Sequence, residues 1–117
     1  MGLLSNIEVE HQIDKAAEEH NDSLRDFLVR ELEYLEEILE YIEHGCNNQF
    51  IKGLVKDILE TPSLTKRIKI IEVVSDEISR STAEDWERRD DRAGTCRALR
   101  DLLDHYKSYV SEVKKAA

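Results

Sequence analysis

Proline occurs once in the 117 residues, at Pro62, and glycine only four times. Chains built from many tight turns need more of both, so short strands joined by hairpins are a poor fit here. Cysteine appears twice, at Cys46 and Cys96, with no CxxC spacing. That excludes a disulfide scaffold and the common thiolate zinc sites, and it favours free thiols in a reducing cytoplasm. Aromatics are 6% of the chain, with a single Trp. No apolar run approaches the roughly 20 residues needed to span a bilayer. The first residues, MGLLSNIEVEH, carry neither a basic region nor a long apolar stretch, so no secretory signal is read there. A Gly-rich phosphate loop and a Ser or Cys nucleophile motif are also missing, which weakens an enzymatic reading.

What the chain has in quantity is charge and aliphatic surface. Hydrophobic residues make up 40% and charged residues 37%. Strong helix formers dominate, so the long unbroken segments should be helices. The clearest runs over residues 24–44, where Leu28, Leu32, Leu35, Leu39 and Ile42 recur at alternating spacings of four and three. Phe27, Tyr34, Ile38 and Tyr41 widen that stripe to about half the circumference, which needs more than one neighbour to cover it. Residues 64–78 repeat the pattern, widened by Ile70 and Val73, and are expected to be central. A heptad-like seam of Cys96, Leu99, Leu103, Tyr106, Val110 and Val113 marks the last helix. Residues 5–20 and 48–60 give two shorter helices, and 82–92 reads as helical with Glu84–Arg88 and Asp85–Arg89 as supporting pairs. Gly94-Thr95 either breaks the chain's helical course or bends it.

Three points punctuate the chain. Asn21-Asp22-Ser23 can cap a helix start. At Gly45-Cys46-Asn47-Asn48, Gly45 suits the left-handed position after a helix and an Asn the next N-cap. At Thr61-Pro62-Ser63, Thr61 is read as the cap and Pro62 as the first helical residue. The sum is one all-α domain over residues 1–117, a four- to five-helix bundle with short connections. The wide stripe and the C-terminal seam suggest a homodimer.

The net charge of −9 is uneven. Residues 1–60 hold fifteen acids and five bases, whereas residues 61–117 are close to neutral, with eleven and twelve. Such a chain repels phosphate backbones and attracts a basic protein partner. Glu33, Glu36, Glu37 and Glu40 occupy the polar side of the 24–44 helix and are the expected interaction surface. Trp86, set among charges, is read either as a core anchor or as an exposed hot spot of that surface. Glu31 falls inside the apolar sector of the same helix. A carboxylate there needs a cation from another helix, or it serves a ligand.

The stretch Arg100-Asp101-Leu102-Leu103-Asp104-His105 is an Arg, a polar residue, three others and a His. It resembles the motif of the HEPN superfamily of ribonucleases and toxins, over six residues of 117. The resemblance implies a small all-α, often dimeric, metal-independent ribonuclease, often paired with a nucleotidyltransferase-type antitoxin. Arg100 would hold the scissile phosphate and His105 would assist the 2′-hydroxyl. Against it, five residues of helix separate two side chains by about 140°. With Leu99, Leu103, Tyr106 and Val110 on the buried side, His105 is expected to point away, as an exposed pair with Asp101.

Each His follows an acid, and Glu8–His11 has the E-x-x-H spacing used by carboxylate–histidine metal bundles. One such pair on the weakest helix is a thin basis for a metal site. The residues therefore favour a non-enzymatic cytoplasmic adaptor, regulator or small subunit without cofactor. The ribonuclease and the metal-binding bundle stand as alternatives.

Overall fold

A computed structural model describes residues 7–116, with side chains from 8 to 113. Among the described residues five α-helices succeed one another: α1 (Ile7–Glu18), α2 (Asp22–Gly45), α3 (Gln49–Glu60), α4 (Leu64–Arg80) and α5 (Arg89–Ala116). The chain is thus an all-α bundle. Residues 5 and 6 of the expected first helix lie outside the described residues.

Short polar residues start α2, α3 and α4. Asn21 Oδ1 accepts from Leu24 N at 3.2 Å at the head of α2. Asn48 Oδ1 accepts from Phe50 N and Ile51 N at 3.0 and 3.1 Å at the head of α3. Ser63, not Thr61, caps α4, with its Oγ accepting from Lys66 N at 3.4 Å. Thr61 instead closes α3, its hydroxyl donating to the Asp57 carbonyl at 2.6 Å. The expected cap therefore shifts by two residues, and Pro62 precedes α4 rather than opening it. Gly45 is also placed differently: it is the last residue of α2, and no glycine among the described residues has positive φ. Its small size matters because a Cβ there would collide with the Asp91 side chain of α5.

The helices close into a ring. α2 packs on α1 and α5, α5 on α4, α4 on α3, and α3 on α1. Leu28, Leu35, Ile38 and Ile42 of α2 meet Ile51, Val55 and Ile58 of α3, Ile71, Val74 and Ile78 of α4, and Leu99 and Leu102 of α5 in one apolar cluster. The wide stripe on α2 is covered by neighbours on both sides, as its width demands. α4 is not the central helix. Val73 on it is 46% exposed, because its other side faces solvent.

Two segments depart from the periodic reading. Residues 82–92 are not one helix. A 3₁₀ turn at Ala83–Asp85 is held by Thr82 and Asp85 capping each other, and Trp86 is extended. Asn47 N donates to Asp85 O at 2.7 Å and Glu87 N to Gly45 O at 2.8 Å, pinning this turn to the end of α2. Glu84–Arg88 and Asp85–Arg89 consequently lack the helical geometry on which their pairing depended. Conversely, α5 runs unbroken through Gly94. A Cβ at Gly94 would lie 2.6 Å from Tyr41 Cζ, so glycine here lets α5 approach α2.

Candidate functional site

α2 presents the acidic ridge. Glu33, Glu36, Glu37 and Glu40 are all exposed, because the apolar residues between them turn the other way into the ring. Two of the four have cations: Arg30 Nη1 donates to Glu33 at 2.9 Å, and Arg97 Nη2 lies 3.7 Å from Glu37. Glu36 and Glu40 have no ion pair among the described residues. They are four apart on one helix, where like charges repel. Asp22 and Asp26, both exposed, continue the ridge towards the head of α2.

Trp86 does not belong to this surface. It is 5% exposed, and its indole Nε1 donates to Ser81 Oγ at 2.9 Å. Glu84, Glu87 and Arg88 beside it are exposed, while Trp86 joins the apolar cluster and its backbone pairs with Cys46 at the end of α2. Cys46 is buried there and Cys96 is half-buried, both as free thiols. Burial pushes the Cys46 thiol up, and the Asn48 backbone partly opposes the shift.

Arg100 and His105 are not brought together. Arg100 is exposed and makes no hydrogen bond or ion pair among the described residues. His105 is half-buried, and the expectation that it stands free with Asp101 is corrected. Its ring stacks on Phe27 of α2 at 4.7 Å between centroids and an interplanar angle of 11°. Its Nε2 lies 3.0 Å from the Phe27 carbonyl. A carbonyl only accepts, so Nε2 carries the hydrogen in this contact. The sector beside the buried face, not opposite it, is where α2 crosses. A groove of about 410 Å³ opens next to His105, lined by Asp26, Arg30, Ser108 and Glu112 among others. Arg100 is not part of its lining. Arg30 is the guanidinium that faces His105's groove.

Glu31 has the partner its position demands. Arg67 of α4 donates to it twice, from Nε at 2.9 Å and from Nη2 at 3.0 Å, and both side chains are fully buried. Arg67 directs its remaining N–H groups to the Thr61 and Pro62 carbonyls at 3.0 and 3.1 Å and to Gln12 Oε1 at 3.2 Å. All five guanidinium donors are used. Tyr106 of α5 donates its hydroxyl to Glu31 at 2.5 Å, and Gln12 Nε2 of α1 donates to the Pro62 carbonyl at 2.7 Å. Burial, then the Glu31 charge, pushes the Tyr106 phenol far up. The cluster joins four helices through the middle of the ring, linking α2 and α4, which are not ring neighbours.

Arg67 had a sequence signal. It stands in step with Ile71, Val74 and Ile78 on the apolar stripe of α4, as Glu31 does on α2. Two opposite charges misplaced on two apolar stripes point to each other. Gln12 and the Tyr106 hydroxyl carried no such signal, because both residue types are common at helix boundaries of core and solvent.

Glu8 is half-buried and His11 exposed on α1. Among the described residues no three His, Cys, Asp or Glu side chains converge as metal ligands would. Nor is any described helix long and apolar enough to cross a membrane. Comparison with family models, curated proteins and solved structures returns no match.

Proposed function

We propose that the protein works by protein–protein contact, as an adaptor, regulator or small subunit, and that the acidic ridge of α2 receives a basic partner. One observation carries this reading. Glu33, Glu36, Glu37 and Glu40 are all exposed on a single helix whose opposite face is locked into the core. Arg30 and Arg97 offset the charges of Glu33 and Glu37, but Glu36 and Glu40 have no ion pair among the described residues. Glu33–Glu37 and Glu36–Glu40 are like-charge pairs, each costing a helix roughly 0.2–0.5 kcal/mol. A rigid acidic ridge raises the encounter rate with a basic surface and selects against acidic ones.

The test compares the natural chain with E33Q/E36Q/E37Q/E40Q as bait in affinity capture from its own cells, quantified by mass spectrometry. A specific partner should be captured at low salt by the natural chain, and its recovery should fall in the variant and with added salt. Equal recovery by a variant with an unchanged circular dichroism spectrum would remove the ridge from the function.

A further inference from the structure

The seam on α5 begins in the core and ends in the open. Leu99 is fully buried, Leu103 half-buried, and Val110 and Val113 are 36% and 49% exposed. Beside it, Ile68 of α4 is also half-buried. Together Ile68, Leu103, Tyr106 and Val110 floor an apolar groove of about 350 Å³ between α4 and α5. Its two charged lining residues are Glu72 on the α4 bank and Lys107 on the α5 bank. Neither has a hydrogen bond or ion pair among the described residues.

We infer that this groove is where a second copy of the chain docks, through a two-fold contact of α5 against the α4–α5 groove. Charge selects that occupant. The chain carries −9 overall, and two such molecules repel one another across most of their surfaces. The α4–α5 groove is locally neutral, with one acid and one base on opposite banks. A two-fold axis makes residue i of each copy meet residue j of the other. Applied here, it sets each copy's Glu72 against the other's Lys107 and makes two ion pairs from four unpaired groups. The same operation covers Val110 twice and continues the heptad-like seam beyond the single chain. The α2 ridge is a separate surface, so this dimer and the partner reading stand or fall independently.

Sedimentation equilibrium on the full chain, from micromolar to submillimolar protein, tests the assignment. The natural chain should show a monomer–dimer equilibrium. Val110→Glu should weaken it about a hundredfold, as a charge buried at an interface centre does. Lys107→Glu sets like charges face to face and should weaken it roughly tenfold. The exchange E72K/K107E restores the opposite pairing and should return the dimer to near its natural affinity. Each variant is exposed at the changed position, so the fold should persist, with circular dichroism as the check. A monomer at every concentration overturns the inference. So does a dimer indifferent to Val110→Glu, and so does a double exchange no better than Lys107→Glu alone.

Discussion

Consider removing Arg67 while leaving Glu31. Arg67→Met keeps most of the side-chain volume but strips a fully buried carboxylate of its two guanidinium bonds. It also leaves the Thr61 and Pro62 carbonyls and Gln12 Oε1 without that donor. Breaking a buried pair from one side costs about 3–5 kcal/mol, because the remaining charge is uncompensated. For a domain of this size each kcal/mol moves Tm by about 4 °C, so a fall of roughly 12–20 °C is expected. The opposite expectation holds for removing both charges. E31L/R67M replaces ions with aliphatic volume, and such exchanges are often neutral or stabilising. Here the Tyr106 hydroxyl would lose its acceptor, at about 1–3 kcal/mol. Adding Tyr106→Phe removes that orphan, so the triple variant should be more stable than R67M by several kcal/mol. Thermal and urea unfolding monitored by far-ultraviolet circular dichroism would measure all three. If R67M does not fold at all, the refolding of the triple variant carries the comparison. An R67M protein within about 4 °C of the natural Tm, or a triple variant less stable than R67M, would refute the reasoning.

Glycine positions make a paired prediction. Gly94→Ala should destabilise by about 1–3 kcal/mol, since its Cβ meets Tyr41 at 2.6 Å. Gly53→Ala, with nothing within 4 Å of its Cβ and a helical backbone, should stabilise by about 0.5–1 kcal/mol. Equal effects in urea titrations would contradict both. Tyr106 sets an alkaline dependence: its phenol is raised in the folded chain above the value of about 10 expected when unfolded. The stability from that difference is whole below about pH 10 and is lost as pH rises beyond it. Tyr106→Phe should therefore flatten the loss of stability above about pH 10, and an unchanged slope counts against the buried Tyr106–Glu31 bond. The two thiols should differ: a disulfide reagent at mildly alkaline pH should modify Cys96 well before Cys46, which is buried and raised. Equal labelling rates in the Cys46→Ser and Cys96→Ser proteins would oppose that placement.

The plain helices were legible because period 3.6 is a strong signal when apolar residues are long-chain and unbroken. Leu28 to Ile42 and Ile71 to Ile78 needed no tertiary information. Charge spacing alone does not make a helix of residues 82–92. Thr82 and Asp85 close a local turn, and the backbone pairing of Trp86 with Cys46 offers hydrogen bonds that a helix would forgo. Pairing between segments so far apart in the chain leaves no periodic trace. Gly45 and Gly94 misled for a related reason. A glycine read locally suggests a stop, whereas these two admit Asp91 and Tyr41 from another helix.

The candidate site divides along the same line. Exposure of the four glutamates on α2 is set by helix phase, and so is the burial of Glu31. His105 required knowing which helix crosses beside the seam, because phase distinguishes only near and far from the core. Its ring lies at the edge, where Phe27 and Tyr34 of α2 cover it. The polar cluster then explains why α2 holds its orientation. An apolar ring of helices tolerates rotation and slippage at modest cost, since aliphatic contacts are not directional. Glu31 meeting Arg67 and Tyr106 fixes the rotation of α2 to that of α4 and α5, because any turn about its axis breaks bonds that are buried from solvent. Glu33, Glu36, Glu37 and Glu40 lie within about three turns of Glu31 on the same helix, so fixing one sets the direction of the other four. On the proposed function, a ridge held this way would meet a basic partner preorganised, with little ordering left to do on binding.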